Sequence, residues 1–256
     1  MSQPHKQLKI FVGINSLTNT TYEAYTNHIQ LFYRFGRDYP HIQFGLVNPA
    51  RMSIDRMRNL AAKTVLETGA DYLLFLDDDV LVEGDGLQKL IDCNADIACG
   101  PVPIRGYPFD WMVFKKKGQN LFSMKELPNK GIVPVDAVGF SFCLIKADLL
   151  RRIPTNAGQP FFVTGLNNTE DIYFCVRARQ ADPNCSIVVE CSQLCGHILW
   201  PEVMNSRNRD HYKRYWEKCN PSAVKQSKEN DPRTKKHDRG INYLEMVKEV
   251  EEGEKA

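Results

Sequence analysis

Residues 72–81 read YLLFLDDDVL. Apolar and aromatic side chains from Tyr72 to Leu76 run directly into Asp77, Asp78 and Asp79, and the chain then turns apolar again. A continuous apolar run of this length reads as a strand covered on both faces. Three like charges at its end repel one another, and burying them uncompensated is expensive. A compensating positive charge is required there, and it need not come from the chain itself.

On the N-terminal side, elements alternate. Leu8–Ile14 (LKIFVGI) and Ile42–Val47 (IQFGLV) read as strands, and Tyr22, Tyr25, Ile29, Phe32 and Tyr33 recur at helical spacing. Ser53 can cap a helix running to Glu67, with Met57, Leu60, Ala61, Thr64 and Val65 on one face and Gly69 as its stop. After the acidic triplet come a short helix at Gly86–Cys93 and a strand at Asp96–Gly100. This alternation predicts an α/β fold with a mostly parallel, Rossmann-like central sheet flanked by helices. In the second half, Trp111–Phe114, Leu121–Met124 and Ile132–Val135 read as a small antiparallel sheet. Ala137–Ile145 reads as one long apolar strand, followed by a helix near Ala147–Arg152. Thr169 can cap a further helix through Arg179, and Ser186–Cys191 is a last strand.

In an open α/β sheet, ligands bind at the carboxyl ends of the strands. The triplet falls at such an end. In extended chain, residues two apart point the same way, so Asp77 and Asp79 face one site and Asp78 faces away. Hard oxygen ligands suit Mg2+ or Mn2+, which characteristically bridge one or two carboxylates and a substrate's phosphates. The bland alternative is an acidic turn that ends a strand.

The stretch 52–81, MSIDRMRNLAAKTVLETGADYLLFLDDDVL, resembles the DxD region of GT-A fold glycosyltransferases, including family 2-like and bacteriophage members. VDAVGFSFCLIKADLL (135–150) is similar to that family's acceptor-side strand, TEDIYFCVRARQ (169–180) to its ED helix, and CGHI (195–198) to the segment that supplies a metal-binding His. The resemblance runs from about Lys9 to His197. It implies a GT-A fold and transfer of a sugar from a nucleotide-sugar donor, a UDP-sugar, to an acceptor hydroxyl with inversion. It further implies Mn2+ or Mg2+ held by Asp77, Asp79 and His197, with Asp77 and Asp78 also at the nucleotide. Asp171 is implied as the base and Glu170 as its neighbour at the acceptor. Gly13, Asn15, Arg51 and Arg58 are implied around the nucleotide, and Arg105 near the sugar or acceptor. Without the resemblance, Glu170 and Asp171 read as first-turn charges complementing a helix dipole, Arg58 as half of a surface pair with Asp55, and His197 as a packed histidine.

The chain has 256 residues, 43% of them hydrophobic, enough for a substantial core. Its 33 basic and 31 acidic residues leave a formal charge of +2, which names no partner. No apolar run approaches a membrane span, and MSQPHKQLKIFVGIN lacks the shape of a signal peptide. The expected setting is therefore cytoplasmic, in a cell or an infected host, with the eight cysteines reduced. Residues 1–204 are expected to form the catalytic domain and 205–256 a charged helical or loose extension. Between Asn205 and Gly240, 11 Lys/Arg stand against 5 Asp/Glu. With aromatics interleaved in RNRDHYKRYWEK (207–218), this stretch suits a phosphate backbone, so the acceptor expected is a hydroxylated base in DNA. A glycan or a lipid-linked sugar is the alternative, since the same basic stretch suits an anionic membrane surface.

Three rival readings remain. Cys185, Cys191, Cys195 and His197 give C-x5-C-x3-C-x-H, which lacks the close CxxC pairs of common zinc modules. A metal-dependent nucleotidyltransferase would share the sheet and the carboxylates, but GINSLTNTTYE (13–23) has no glycine- and lysine-rich phosphate loop. A non-catalytic binding protein would have no need of the intact triplet and ED pair.

Overall fold

The computed structural model describes residues 7–16, 20–155, 159–165, 168–199, 202–221, 224 and 241–242. Most of the basic stretch 205–240 beyond residue 221, and the acidic tail beyond 242, lie outside the described residues.

The first half runs β1 (Leu8–Asn15), α1 (Tyr22–Asp38), β2 (Ile42–Val47), α2 (Ile54–Thr68), β3 (Tyr72–Asp77), β4 (Val80–Val82), α3 (Gly86–Asp92) and β5 (Ile97–Cys99). The second half runs β6 (Val113–Lys117), β7 (Asn120–Ser123), β8 (Ile132–Pro134), β9 (Ala137–Val138), β10 (Phe142–Lys146), α4 (Ala147–Arg152), α5 (Glu170–Ala181), β11 (Ile187–Glu190), β12 (Cys195–Leu199), β13 (Glu202–Asn205), α6 (Arg209–Cys219) and β14 (Ile241–Asn242).

The central sheet has the order β2-β1-β3-β10-β5-β11-β8. Strands β2, β1, β3, β5 and β11 share one direction, and β10 and β8 oppose it. The sheet is therefore mixed, and compatible with a Rossmann-like fold. Its two faces are covered by separate cores. Leu73 and Phe75 of β3 pack with Ala61, Ala62 and Val65 of α2 and with Leu149 of α4. Leu74 and Leu76 point the other way, to Leu31 and Phe35 of α1 and Leu87 of α3. This strict alternation of fully buried side chains is why YLLFL carries no polar residue. Each large side chain so buried stabilises the fold by about 1.5–3 kcal/mol.

Three expectations are corrected, and one short strand joins a sheet of its own. Ala137–Ile145 is two strands. β9 joins β6 in a small antiparallel sheet, whereas β10 crosses into the central sheet between β3 and β5. The break falls at Gly139, where a Cβ would come within 2.9 Å of Met112. β8 pairs with β11 at the edge of the central sheet, not with the β6–β7 hairpin. The apolar residues after the triplet form β4, which pairs with β12 in a separate three-stranded sheet. Finally, the apolar stripe of α1 faces outward: Tyr22, Tyr25, Ile29 and Tyr33 are exposed, and the helix buries Ala24, His28, Leu31 and Phe35. The helix that starts at Ser53 and stops at the left-handed Gly69 (φ 63°) forms where expected, but with Arg58 inside and Leu60 outside.

Among the described residues no helix is long and apolar enough to cross a membrane. Helix α6 lies against the 100–111 segment. Tyr107 stacks on Trp216 with ring centroids 4.5 Å apart, and its hydroxyl donates to Glu217 at 3.0 Å. Arg209, buried at the start of α6, donates to the Phe109 carbonyl and pairs with Asp110 at 3.3 Å.

Candidate active site

The parallel register of β1 on β3 sets Asn15 beside Asp77 at the carboxyl ends of both strands. Asn15 Nδ2 donates to Asp77 Oδ1 at 3.3 Å, while its own Oδ1 is buried with no hydrogen-bond partner among the described residues. Beyond Asp77 the chain leaves extended geometry and turns into β4. The alternation expected of the three aspartates therefore does not hold, because Asp78 and Asp79 belong to that turn. Each aspartate has its own partners.

Asp77 takes Arg58. The Arg58 guanidinium, 2% exposed, donates through Nη2 to both Asp77 oxygens (3.3 and 3.4 Å), through Nε to Glu170 Oε1 (2.9 Å) and through Nη1 to the Phe140 carbonyl (3.2 Å). It also lies 4.7 Å from the centroid of the Phe75 ring. The surface pair with Asp55 is not formed. Burial opposes the Arg58 charge, but Asp77, Glu170 and Asp171 outweigh it. One side chain, itself 112 residues from Glu170, thus ties the triplet to the ED pair.

Asp78 is half-buried, near Ser16 and on the side of His28. Burial, followed by the neighbouring Asp79 and Asp77 charges, raises its pKa despite the hydrogen bond from Ser16. Buried His28 contacts the Val80 carbonyl through Nε2 at 3.0 Å, and burial lowers its pKa.

Asp79 faces Arg105 and His197. Its Oδ2 lies 2.9 Å from Arg105 Nη1 and 3.5 Å from His197 Nε2. Burial pushes Asp79 up, but the hydrogen bond and charge of His197, with the charge of Arg105, leave it below the ordinary value. His197 sits on β12, opposite Val80 of β4, so strand pairing places it beside the triplet. Its Nδ1 lies 2.8 Å from the Pro103 carbonyl, which can only accept. That contact assigns a proton to Nδ1 and makes Nε2, the nitrogen toward Asp79, the one available to a metal. This is the arrangement that backbone carbonyls behind the ring impose on metal-binding histidines. Asp79 and His197 thus offer one carboxylate and one imidazole, a set that fits a divalent cation also ligated by substrate oxygens. No third His, Cys, Asp or Glu completes a protein-only metal cluster among the described residues. The zinc reading accordingly loses its geometry: Cys185, Cys191 and Cys195 are separately buried thiols, each raised above its ordinary value first by burial.

The ED pair begins α5. Asp171 is 5% exposed, and its Oδ1 accepts from the Ile172 amide at 2.8 Å and from the Thr169 hydroxyl. Its Oδ2 lies where a Cβ on Gly139 would approach to 3.4 Å. Burial raises Asp171, against Arg58 and these hydrogen bonds. Burial and then the Asp171 charge push Glu170 up to about 7, against the opposing Arg58.

The remaining expected residues divide. Arg51 lies at the mouth: its amide donates to the Ser16 carbonyl at 3.2 Å, its side chain is exposed, and its φ of 61° is strained for a non-glycine residue. Gly13 is buried two residues inside β1, where its missing side chain lets Ala61 and Phe75 approach; it does not line the mouth. Sequence reasoning missed the assigned roles of Pro103, Phe140 and Thr169, which act through backbone or short-range contacts with no residue-type signal. A groove of about 910 Å3 opens beyond the carboxyl ends of β5 and β11, lined in part by Pro101, Trp111, Gln193 and Lys213. None of the carboxylates above lines it, so convergent side chains, not volume, locate the chemistry.

No family model matches the chain, and no curated protein matches it. Solved structures do. The crystal structure of A197 from STIV superposes with a TM-score of 0.52 at 21% identity, covering 75% of this chain and 86% of that one. A UDP-glucose pyrophosphorylase from Acinetobacter baumanii aligns with a TM-score of 0.37 at 12% identity, over 67% of this chain and 61% of that one. The first likeness shows a shared fold and nothing finer; the second is too loose to carry an argument.

Proposed function

We propose that the chain is a GT-A-like, metal-dependent glycosyltransferase that moves a sugar from a nucleotide-sugar donor to an acceptor hydroxyl with inversion. The observation that carries this reading is the Arg58 bridge, which sets a carboxylate at the nucleotide end of the sheet and a carboxylate pair at a helix start around one cation. Asn15 Oδ1, a buried acceptor without a partner beside Asp77, suits a ribose hydroxyl or the N–H of a base such as uracil. Arg51 suits the diphosphate at the mouth. Asp79 and His197 would hold Mn2+ or Mg2+. When bound, that ion stabilises charge on the departing diphosphate.

Asp171 takes the proton of the acceptor hydroxyl. Thr169 and the Ile172 amide hold its Oδ1, which leaves Oδ2 for the substrate. Glu170, anchored by Arg58, orients the acceptor beside it. For the acceptor we favour a hydroxylated base in DNA, carried by the basic face of α6. Trp216 of α6 is engaged by Tyr107, so that face reduces to Arg214, Tyr215 and Lys218, with Arg207 in the turn before the helix. Absence of duplex-DNA binding at low salt would remove the DNA acceptor and leave a glycan or lipid-linked one.

The deciding experiment is a panel of nucleotide sugars, with and without Mn2+, scored for hydrolysis of the donor. It requires no knowledge of the acceptor. Release of nucleoside diphosphate in a Mn2+-dependent manner supports the reading. Release of pyrophosphate identifies a nucleotidyltransferase instead, and no turnover of any donor ends the proposal.

A further inference from the structure

The two partners of Asp79 are held differently. His197 is fixed from behind by the Pro103 carbonyl, and its side chain is only 12% exposed. Arg105 reaches Asp79 from a side chain that is 57% exposed. The backbone around it is pinned: Ile104 N to Asp110 O at 2.9 Å, Phe109 N to Gly106 O at 2.7 Å, and Met112 N to Val102 O at 3.2 Å. A long flexible stem on a fixed base lets the guanidinium change partners without moving the loop. Oδ2 is the oxygen that faces both Arg105 and His197 Nε2. A divalent cation placed between Asp79 and His197 takes that oxygen and repels the guanidinium. The displaced guanidinium, with its planar fork of donors, matches phosphate oxygens.

We propose that Arg105 is a displaceable counter-ion. It holds Asp79 until a divalent cation arrives, then transfers its ion pair to the donor's diphosphate. Resting on the nucleotide-sugar reading above, this assigns Arg105 a diphosphate-binding role and couples metal arrival to donor capture. It also carries an unusual signature: deleting Arg105 helps one ligand and harms the other.

The experiment titrates Mn2+ by electron paramagnetic resonance, and UDP by calorimetry at saturating Mn2+, in wild type, Arg105→Ala, Arg105→Lys and the control Arg37→Ala. The control removes another exposed arginine paired with an aspartate, Asp38, in the last turn of α1. Arg105→Ala should bind Mn2+ about two- to five-fold more tightly, the range an exposed ion pair commands. The same variant should bind UDP about ten-fold more weakly, the loss of a charge-assisted contact. Arg105→Lys should recover UDP binding only in part, and Arg37→Ala should match wild type in both titrations. Wild type that binds Mn2+ and UDP and turns over donor, beside an Arg105→Ala variant with unchanged or weaker Mn2+ affinity or unchanged UDP affinity, overturns this proposal alone. Wild type that binds neither ligand overturns the nucleotide-sugar reading and this proposal with it.

Discussion

The triplet around Asp79 and the pair at Glu170–Asp171 use the same side chains in opposite settings. Asp79 lies at a strand-end turn, part-exposed, with Arg105 and His197 on one oxygen, and its pKa falls. Glu170 and Asp171 lie at a buried helix start and share the single guanidinium of Arg58 with Asp77, and both pKa values rise. Environment therefore divides the labour. A carboxylate kept ionised suits a cation, and one pushed toward neutrality suits proton transfer.

The comparison breaks most severely if Arg58 is removed. Arg58→Ala leaves Asp77 and Glu170 buried without their counter-charge, and we expect a loss of about 3–5 kcal/mol in urea unfolding. Arg58→Lys should restore only part of it, because an ammonium lacks the fork that reaches both carboxylates. Unchanged stability in Arg58→Ala would show that the two clusters are independent.

Next come the carboxylates themselves. Asp79→Ala should lower donor turnover by about 10^3-fold with loss of Mn2+ dependence. Asp171→Asn should lower transfer by at least about 10^2-fold while donor binding persists. If both variants fail in the same step, the division of labour is wrong.

pH gives a smaller effect with opposite signs. Glu170 is raised from 4.5 to about 7, so the folded state holds its proton more tightly than the unfolded chain does. Its stabilising contribution is complete below 4.5 and is lost as pH rises through about 7. Asp79 is depressed, so its contribution is present above 3.8 and is lost as pH falls through its lowered value. Glu170→Gln should flatten the 4.5–7 limb, worth about 3 kcal/mol, and leave the acid limb intact. The smallest effect belongs to Thr169→Ala, which removes one hydrogen bond to Asp171. It should move the acid limb of the rate–pH profile to higher pH by less than about one unit.

Much of this frame was legible in the sequence because local pattern and burial agree there. YLLFL is buried on both faces, Gly69 takes the left-handed cap, and Thr169 precedes α5. Where a residue's chemistry is decided by a distant partner, the pattern misleads. Arg58 reads as a surface charge until Glu170 arrives from 112 positions away. The tyrosines of α1 count as apolar by spacing, yet their hydroxyls tolerate water, and smaller Ala24 and Leu31 fill the interior instead. The short runs β4, β8 and β9 owe their sheet membership to pairing, not to composition. His197 was identified through a motif, but its orientation depends on a carbonyl at Pro103 that no side-chain pattern encodes.

The Tyr107–Trp216 stack has a consequence for how the chain can be shortened. A chain cut at 204 keeps every carboxylate of the candidate site, His197 and both Arg58 and Arg105. It nevertheless loses the indole under Tyr107, the Glu217 acceptor and the Arg209 clasp on Phe109 and Asp110. The segment between Gly100 and Trp111 would then lose its outer support at Tyr107, Phe109 and Asp110, a few residues from Pro103 and Arg105. What reads in one dimension as an appended tail works in three as the backstop of the loop that meets Asp79.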